Sequence, residues 1–156
     1  MRASRGRRAL PRALGLALVV STFSGCLEPG DALYPARDTD PPDVVSTDPG
    51  ANGTLSVTGT LRITFSEAMD VRTLRAGIAV FSGRDEVPLT ITAPPVPEVD
   101  EHVERGDVPY TVEAVPAEGS AFLPNSQYTL VLRDALTDYE GNPLAAEVRV
   151  VFRTAQ

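Results

Sequence analysis

Residues 60–70, TLRITFSEAMD, impose more on the fold than any other stretch of this chain. Leu61, Ile63 and Phe65 alternate with Thr60, Arg62, Thr64 and Ser66. A period of two puts an apolar row on one face and a polar row on the other, as a half-buried strand requires. The alternation stops at Ser66-Glu67-Ala68-Met69-Asp70, where the chain has to turn. A strand of this kind cannot stand alone, so the other short apolar runs are read as its partners.

Those runs recur at short spacing. Val44 and Val45 open a first strand, and residues 49–53 (PGANG) form a turn cluster. Asp70 is placed to cap a brief helical turn over residues 71–74, its carboxylate accepting otherwise orphaned amides. Strands are expected over 78–81 and 87–92. In the second, Val87, Leu89 and Ile91 face inward, and Pro88, which cannot donate to a ladder, assigns it to an edge. Residues 93–109, rich in Pro and acids, are the longest irregular stretch. Tyr110, Val112 and Ala114 alternate next, then Tyr128, Leu130 and Leu132, and finally Val148, Val150 and Phe152. About seven short strands separated by turns predict an all-β antiparallel sandwich over 42–156, with one core and no repeat. A domain of this size buries roughly two-thirds of its unfolded surface, enough to dispense with disulfides or metal.

The N-terminus has a different character. Arg2, Arg5, Arg7, Arg8 and Arg12 are its only charged side chains before Cys26, and an apolar run over 13–20 follows them. That run is shorter than the roughly 20 residues a membrane span takes and has the length of a signal-peptide core. Phe23-Ser24-Gly25-Cys26 resembles the lipobox of bacterial lipoproteins, which implies a signal peptide over 1–25 and acylation of Cys26. Cys26 is the chain's one cysteine, so no intrachain disulfide is available in the oxidising compartment that export implies. Residues 26–41 carry Pro, Gly and Asp without periodicity and are expected to be a disordered tether. Leu27 stands where an Asp would favour inner-membrane retention, which by the same resemblance points to the outer membrane. With the five leading arginines gone, nine of fourteen basic residues oppose 21 acidic ones, a formal charge of −12. So acidic a remainder repels a phosphate backbone, and nucleic acid is excluded as a partner.

Residues 60–70 followed by Val71-Arg72-Thr73-Leu74 resemble the opening of the bacterial Ig-like domain of S-layer proteins (SbsA type). Residues 122–128 (FLPNSQY) resemble the approach to that family's penultimate strand. Residues 138–144 (DYEGNPL) resemble its Asp-x-x-Gly-Asn-Pro turn, and 150–154 (VVFRT) its closing Phe-x-Thr strand. The resemblance implies a single Ig-like sandwich without catalytic machinery. Its landmarks have physical roles. Tyr128 buries its ring and returns its hydroxyl to nearby backbone as a tyrosine corner, Met69 fills an irregular gap, and Gly141-Asn142 supplies positions tolerant of positive φ.

No active site or cofactor site is legible. His102 is the one histidine and lies in the acidic loop, and metal sites built on His and Cys need several such ligands. Gly-rich phosphate loops are missing. Arg105-Gly106-Asp107 spells an attachment tripeptide that chance supplies readily. Asp138, Glu140 and Asn142, at alternate positions, could aim three oxygens at a Ca2+, but turn capping is the preferred reading and no metal site is assigned. The acids of the 93–109 loop (Glu98, Asp100, Glu101, Glu104 and Asp107) form a second cluster, read as a solvated loop. The sequence therefore points to a non-enzymatic, lipid-anchored envelope protein that presents one Ig-like module for structure or for contact with another protein. The alternative is a polysaccharide-binding module using the 93–109 loop and exposed aromatics such as Tyr139 or Phe81.

Overall fold

The computed structural model describes residues 38–95 and 108–156, all within the unit Ala36–Gln156. Cys26, the expected leader, most of the expected tether, His102 and the Arg105-Gly106-Asp107 tripeptide lie outside the described residues.

Among the described residues, nine strands form two facing sheets, joined by one short helix. The strands are β1 (Val44–Asp48), β2 (Thr54–Leu55), β3 (Leu61–Phe65), β4 (Ile78–Ser82), β5 (Asp85–Val87), β6 (Leu89–Thr92), β7 (Tyr110–Pro116), β8 (Gln127–Leu132) and β9 (Val148–Thr154), and helix α1 spans Val71–Gly77. One sheet has the order β1-β3-β7-β6 and the other β2-β9-β8-β4-β5. The alternating stretch at 60–70 thus becomes β3, paired antiparallel to β1 on one side and to β7 on the other. Its inward row of Leu61, Ile63 and Phe65 is fully buried. In register beside it stand Ala114, Val112 and Tyr110 of β7. The outward row carries an Arg62–Glu113 ion pair at 3.0 Å and a Thr64–Thr111 hydroxyl pair at 3.0 Å, both cross-strand neighbours.

Two corrections to the expected strands have physical causes. The run at 87–92 is not one strand, because it breaks at Pro88 into β5 and β6, which belong to different sheets. Pro88 lacks an N–H and cannot continue a ladder, so the chain crosses from one sheet to the other there. Both pieces are edge strands, and Val87, Leu89 and Ile91 still pack against the core. Secondly, β2 pairs parallel to β9, so the sandwich is not wholly antiparallel. Two residues of ladder carry too little periodicity to be read from sequence.

The opposite sheet contributes Ile78 and Val80 of β4, Tyr128, Leu130 and Leu132 of β8, and Val150 and Phe152 of β9 to the same core. At one end Phe122, Tyr128 and Phe152 form an aromatic cluster. Phe122 meets the other two rings edge-on at 5.0 and 6.0 Å, and Tyr128 stacks on Phe152 at 5.6 Å. The Tyr128 hydroxyl accepts the Leu123 N–H at 2.7 Å, the tyrosine corner anticipated from the sequence. Thr154, buried in the last strand, donates to the Leu123 carbonyl and accepts the Ser126 N–H, so the same turn is held from two strands. Tyr110 solves the same problem elsewhere: its hydroxyl donates to the Pro94 carbonyl at 2.6 Å, and burial raises its pKa.

Candidate functional site

The exit of β3 and the turn at 136–144 come together at the end of the sandwich beside α1. Asp70 caps α1, accepting the Arg72 N–H at 2.9 Å, and its carboxylate also takes the Arg72 guanidinium at 2.6–3.0 Å. Those bonds to Arg72 hold the Asp70 carboxyl below its usual range. The helix runs to Gly77, one turn beyond the expected residues 71–74. Met69, completely buried, forms a backbone bridge with Asp138. Around it the Asp70 N–H donates to the Thr137 carbonyl and the Tyr139 N–H to the Ala68 carbonyl, each at 2.9 Å. The two segments are therefore zipped by backbone, and side chains flanking the zipper are forced into proximity.

Glu67 is the residue this zipper delivers. Its carboxylate, with those of Asp138 and Glu140, forms a group whose ligand oxygens all lie within 4.8 Å of one another. Glu67 is 5% exposed and Asp138 not at all, while Glu140 is half-buried. Asp138 is fully provided for: it accepts N–H groups of Gly141 and Asn142 at 2.5 and 2.7 Å, and the Asn142 side-chain amide at 2.7 Å. Glu67 is held more weakly: the Ser66 hydroxyl donates to its Oε1 at 3.5 Å. Burial, then the charges of Asp138, Asp38 and Glu140, raise the Glu67 carboxyl from 4.5 to about 7, with Ser66 opposing weakly. Crowded carboxylates out of water relieve their repulsion by taking up a proton or a cation.

Of the three residues singled out as a possible Ca2+ set, Asp138 and Glu140 face the cluster and Asn142 serves it differently. The Asn142 NH2 donates both to Asp138 Oδ2 and to the Asp38 carbonyl, so two acceptors fix that end of the amide as the donor. Positive φ falls on Gly141 (94°) and not on Asn142. Sequence reasoning missed Glu67. The signal present was an acid at the point where β3 loses its alternation, two residues past the last core position. Of the aromatics proposed for sugar contact, Tyr139 is 51% exposed and Phe81 is half-buried. A shallow depression of about 410 Å³ beside Tyr139 is lined by Met69, Asp70, Val71, Arg72 and Tyr139. Among the described residues no helix is long and apolar enough to cross a membrane.

Two facing sheets, a tyrosine corner and a single shared core define an Ig-like β-sandwich. A family model described as bacterial Ig-like domain matches residues 38–154, and the chain belongs to that family. Among solved structures it is similar to the S-layer protein rSbsC(31-844), with 14% identity and a TM-score of 0.44. That alignment covers 74% of this chain and 14% of the S-layer chain, so this chain spans a small fraction of that protein's length. No curated protein matches.

Proposed function

We propose that this chain is an exported, lipid-anchored protein of the bacterial cell envelope whose Ig-like module serves structure or protein contact and no catalysis. The observation that carries the reading is the way the polar side chains of the described domain are used. Asp70, Tyr110, Tyr128, Asp138, Asn142 and Thr154 all spend their bonds on holding turns and strand ends. The family assignment supports a surface or exported setting for such a module. The lipobox-like residues at 23–26 support acylation of Cys26, most simply with palmitate among the attached chains. A diacylated or triacylated anchor holds stably where a single chain does not, since each buried CH2 contributes about 0.8 kcal/mol. Leu27 supports the outer membrane over the inner.

The test is metabolic labelling with an alkyne fatty acid, followed by membrane fractionation of the full chain and its Cys26→Ser variant. Label on the wild type and release of the variant into the soluble fraction support the anchor. A variant that still sediments with membranes refutes it. The second reading, polysaccharide binding, is favoured by Tyr139, half-exposed over the depression bordered by Asp70 and Arg72. Retardation of the chain in gels containing envelope polysaccharide, lost in Tyr139→Ala, would support that reading over protein contact. In situ cross-linking from position 139 to an envelope protein, without retardation, supports the first.

A further inference from the structure

We propose that the outer face of the sheet β2-β9-β8-β4-β5 is self-complementary and docks a second copy of this chain, face to face, about a two-fold axis. Side chains alternate across a strand. Val80 of β4, Leu130 of β8 and Val150 and Phe152 of β9 belong to the core, so the residues between them face outward. The register then sets Glu86, Phe81, Thr129 and Val151 side by side in one row across four strands. Arg149 and Arg153 flank Val151 on β9, one on either side along the strand. In the adjoining row Ala79 and Val131 stand beside Arg149, both already out of water.

The charges of this face are split between its margins. Arg149 and Arg153 lie on β9 and Glu86 on β5, while the outward residues of β8 and β4 between them are uncharged. Three strand spacings, roughly 14 Å, separate the two signs. Among the described residues neither Arg153 nor Glu86 has a side-chain partner. Arg149 takes Glu147 at 2.7 Å, yet its side chain stays 65% exposed. The other sheet neutralises itself, because its outward Arg62 and Glu113 are cross-strand neighbours and pair at 3.0 Å. Opposite charges held at opposite margins of one face meet only when that face is turned over onto itself.

A two-fold axis parallel to the strands, between β8 and β4, exchanges β8 with β4 and β9 with β5. It keeps each row level. Glu86 of one copy therefore arrives over Val151 of the other, between Arg149 and Arg153, and Phe81 arrives over Thr129. The same contacts recur on the far side of the axis, as an isologous interface requires. Rim ion pairs set the orientation and contribute little affinity, which falls to half-buried Phe81 and to Val151, 37% exposed. Five strands span roughly 24 Å and run for about 20 Å, so the face offers about 500 Å² per copy. The total, about 1,000 Å², is below the roughly 1,200–2,000 Å² of a stable complex, and the dimer is weak and reversible. This inference rests on the protein-contact reading above and names its partner.

The experiment is sedimentation equilibrium of the purified full chain in mild detergent, over a range of protein and salt concentrations. A monomer–dimer equilibrium with a Kd on the order of 10–100 µM, weakened by salt, is expected. Arg153→Glu and Glu86→Arg each set like charges opposite one another and should weaken Kd at least tenfold, with unchanged circular dichroism. Mixing the two variants should restore the wild-type affinity, because the mixed dimer has opposite charges at both margins. A local disturbance by either substitution would not be rescued in that way. A chain that stays monomeric to about 1 mM overturns the inference, roughly ten times the weakest Kd expected. So does a dimer indifferent to both substitutions, or a mixture no tighter than its components. Retardation by envelope polysaccharide that is lost in Arg153→Glu, without dimers, would give the face to a different occupant. Cross-linking from position 139 tests the protein-contact reading separately, so a failed dimer leaves that result standing on its own.

Discussion

Replacing Glu67 with Gln in chelator-treated protein isolates the cost of the buried carboxylate. Glu67 is 5% exposed and its carboxyl is raised to about 7 by burial first, then by Asp138, Asp38 and Glu140. In the unfolded chain it titrates near 4.5. Between those values the folded state holds a proton that the unfolded state has released, so stability falls as pH rises through this window. Below about 4.5 both states are protonated and the cluster is at its most stable; above about 7 both are ionised and the loss is complete. The difference between 4.5 and about 7 corresponds to a ceiling of about 3 kcal/mol, reduced wherever the cluster relaxes or water enters. Gln is close to Glu in shape and keeps a donor for Asp138 at every pH. Urea denaturation at intervals between pH 5 and 8, in chelator, should show the wild type losing about 2–3 kcal/mol that Glu67→Gln retains. At the acid end the two proteins should nearly coincide. A wild type whose stability is flat across this range, or a variant with the same slope, would falsify the assignment of the proton to Glu67.

Tyr128→Phe keeps the ring in its aromatic cluster and strands the Leu123 N–H, so it should cost about 1–3 kcal/mol by chemical denaturation. Gly77→Ala sets a new Cβ into the side chain of Leu136, which is fully buried, and within 3.2 Å of its backbone nitrogen. Overpacking of that kind should lower stability by about 1–3 kcal/mol, with a visibly depressed melting temperature. Asp70→Ala removes the cap of α1 and should cost about 1 kcal/mol at neutral pH. Because the Arg72 bonds lower the Asp70 carboxyl, that contribution is present above its unfolded pKa and fades as pH falls through its folded one. The gap between Asp70→Ala and wild type should therefore narrow in acid.

The sandwich was legible because its signals are local. β3 declares itself by strict alternation, Asp70 by its place ahead of a helical turn, and Tyr128 by its position at the start of a strand after a Pro-Asn turn. The acidic site was only half legible. Asp138 and Glu140 share one turn and were read together with Asn142, but Glu67 reaches them through pairing between segments 71 residues apart. Asn142 looked like an oxygen donor because spacing reports which residues alternate and not which end of an amide points inward.

What the residues alone determined is periodic or compositional: a two-residue alternation that buries one face, an excess of acids after residue 26, and an Arg-rich then apolar stretch ahead of the one cysteine. Those follow from backbone geometry and solvation, which act over a few neighbouring positions. Tertiary structure decided that Pro88 sends the chain from one sheet to the other and that β2 lies parallel to β9. It also decided that a glutamate just past the last core position of β3 is buried against an aspartate. Each of these depends on which distant segments meet, and no local pattern of side chains encodes that meeting.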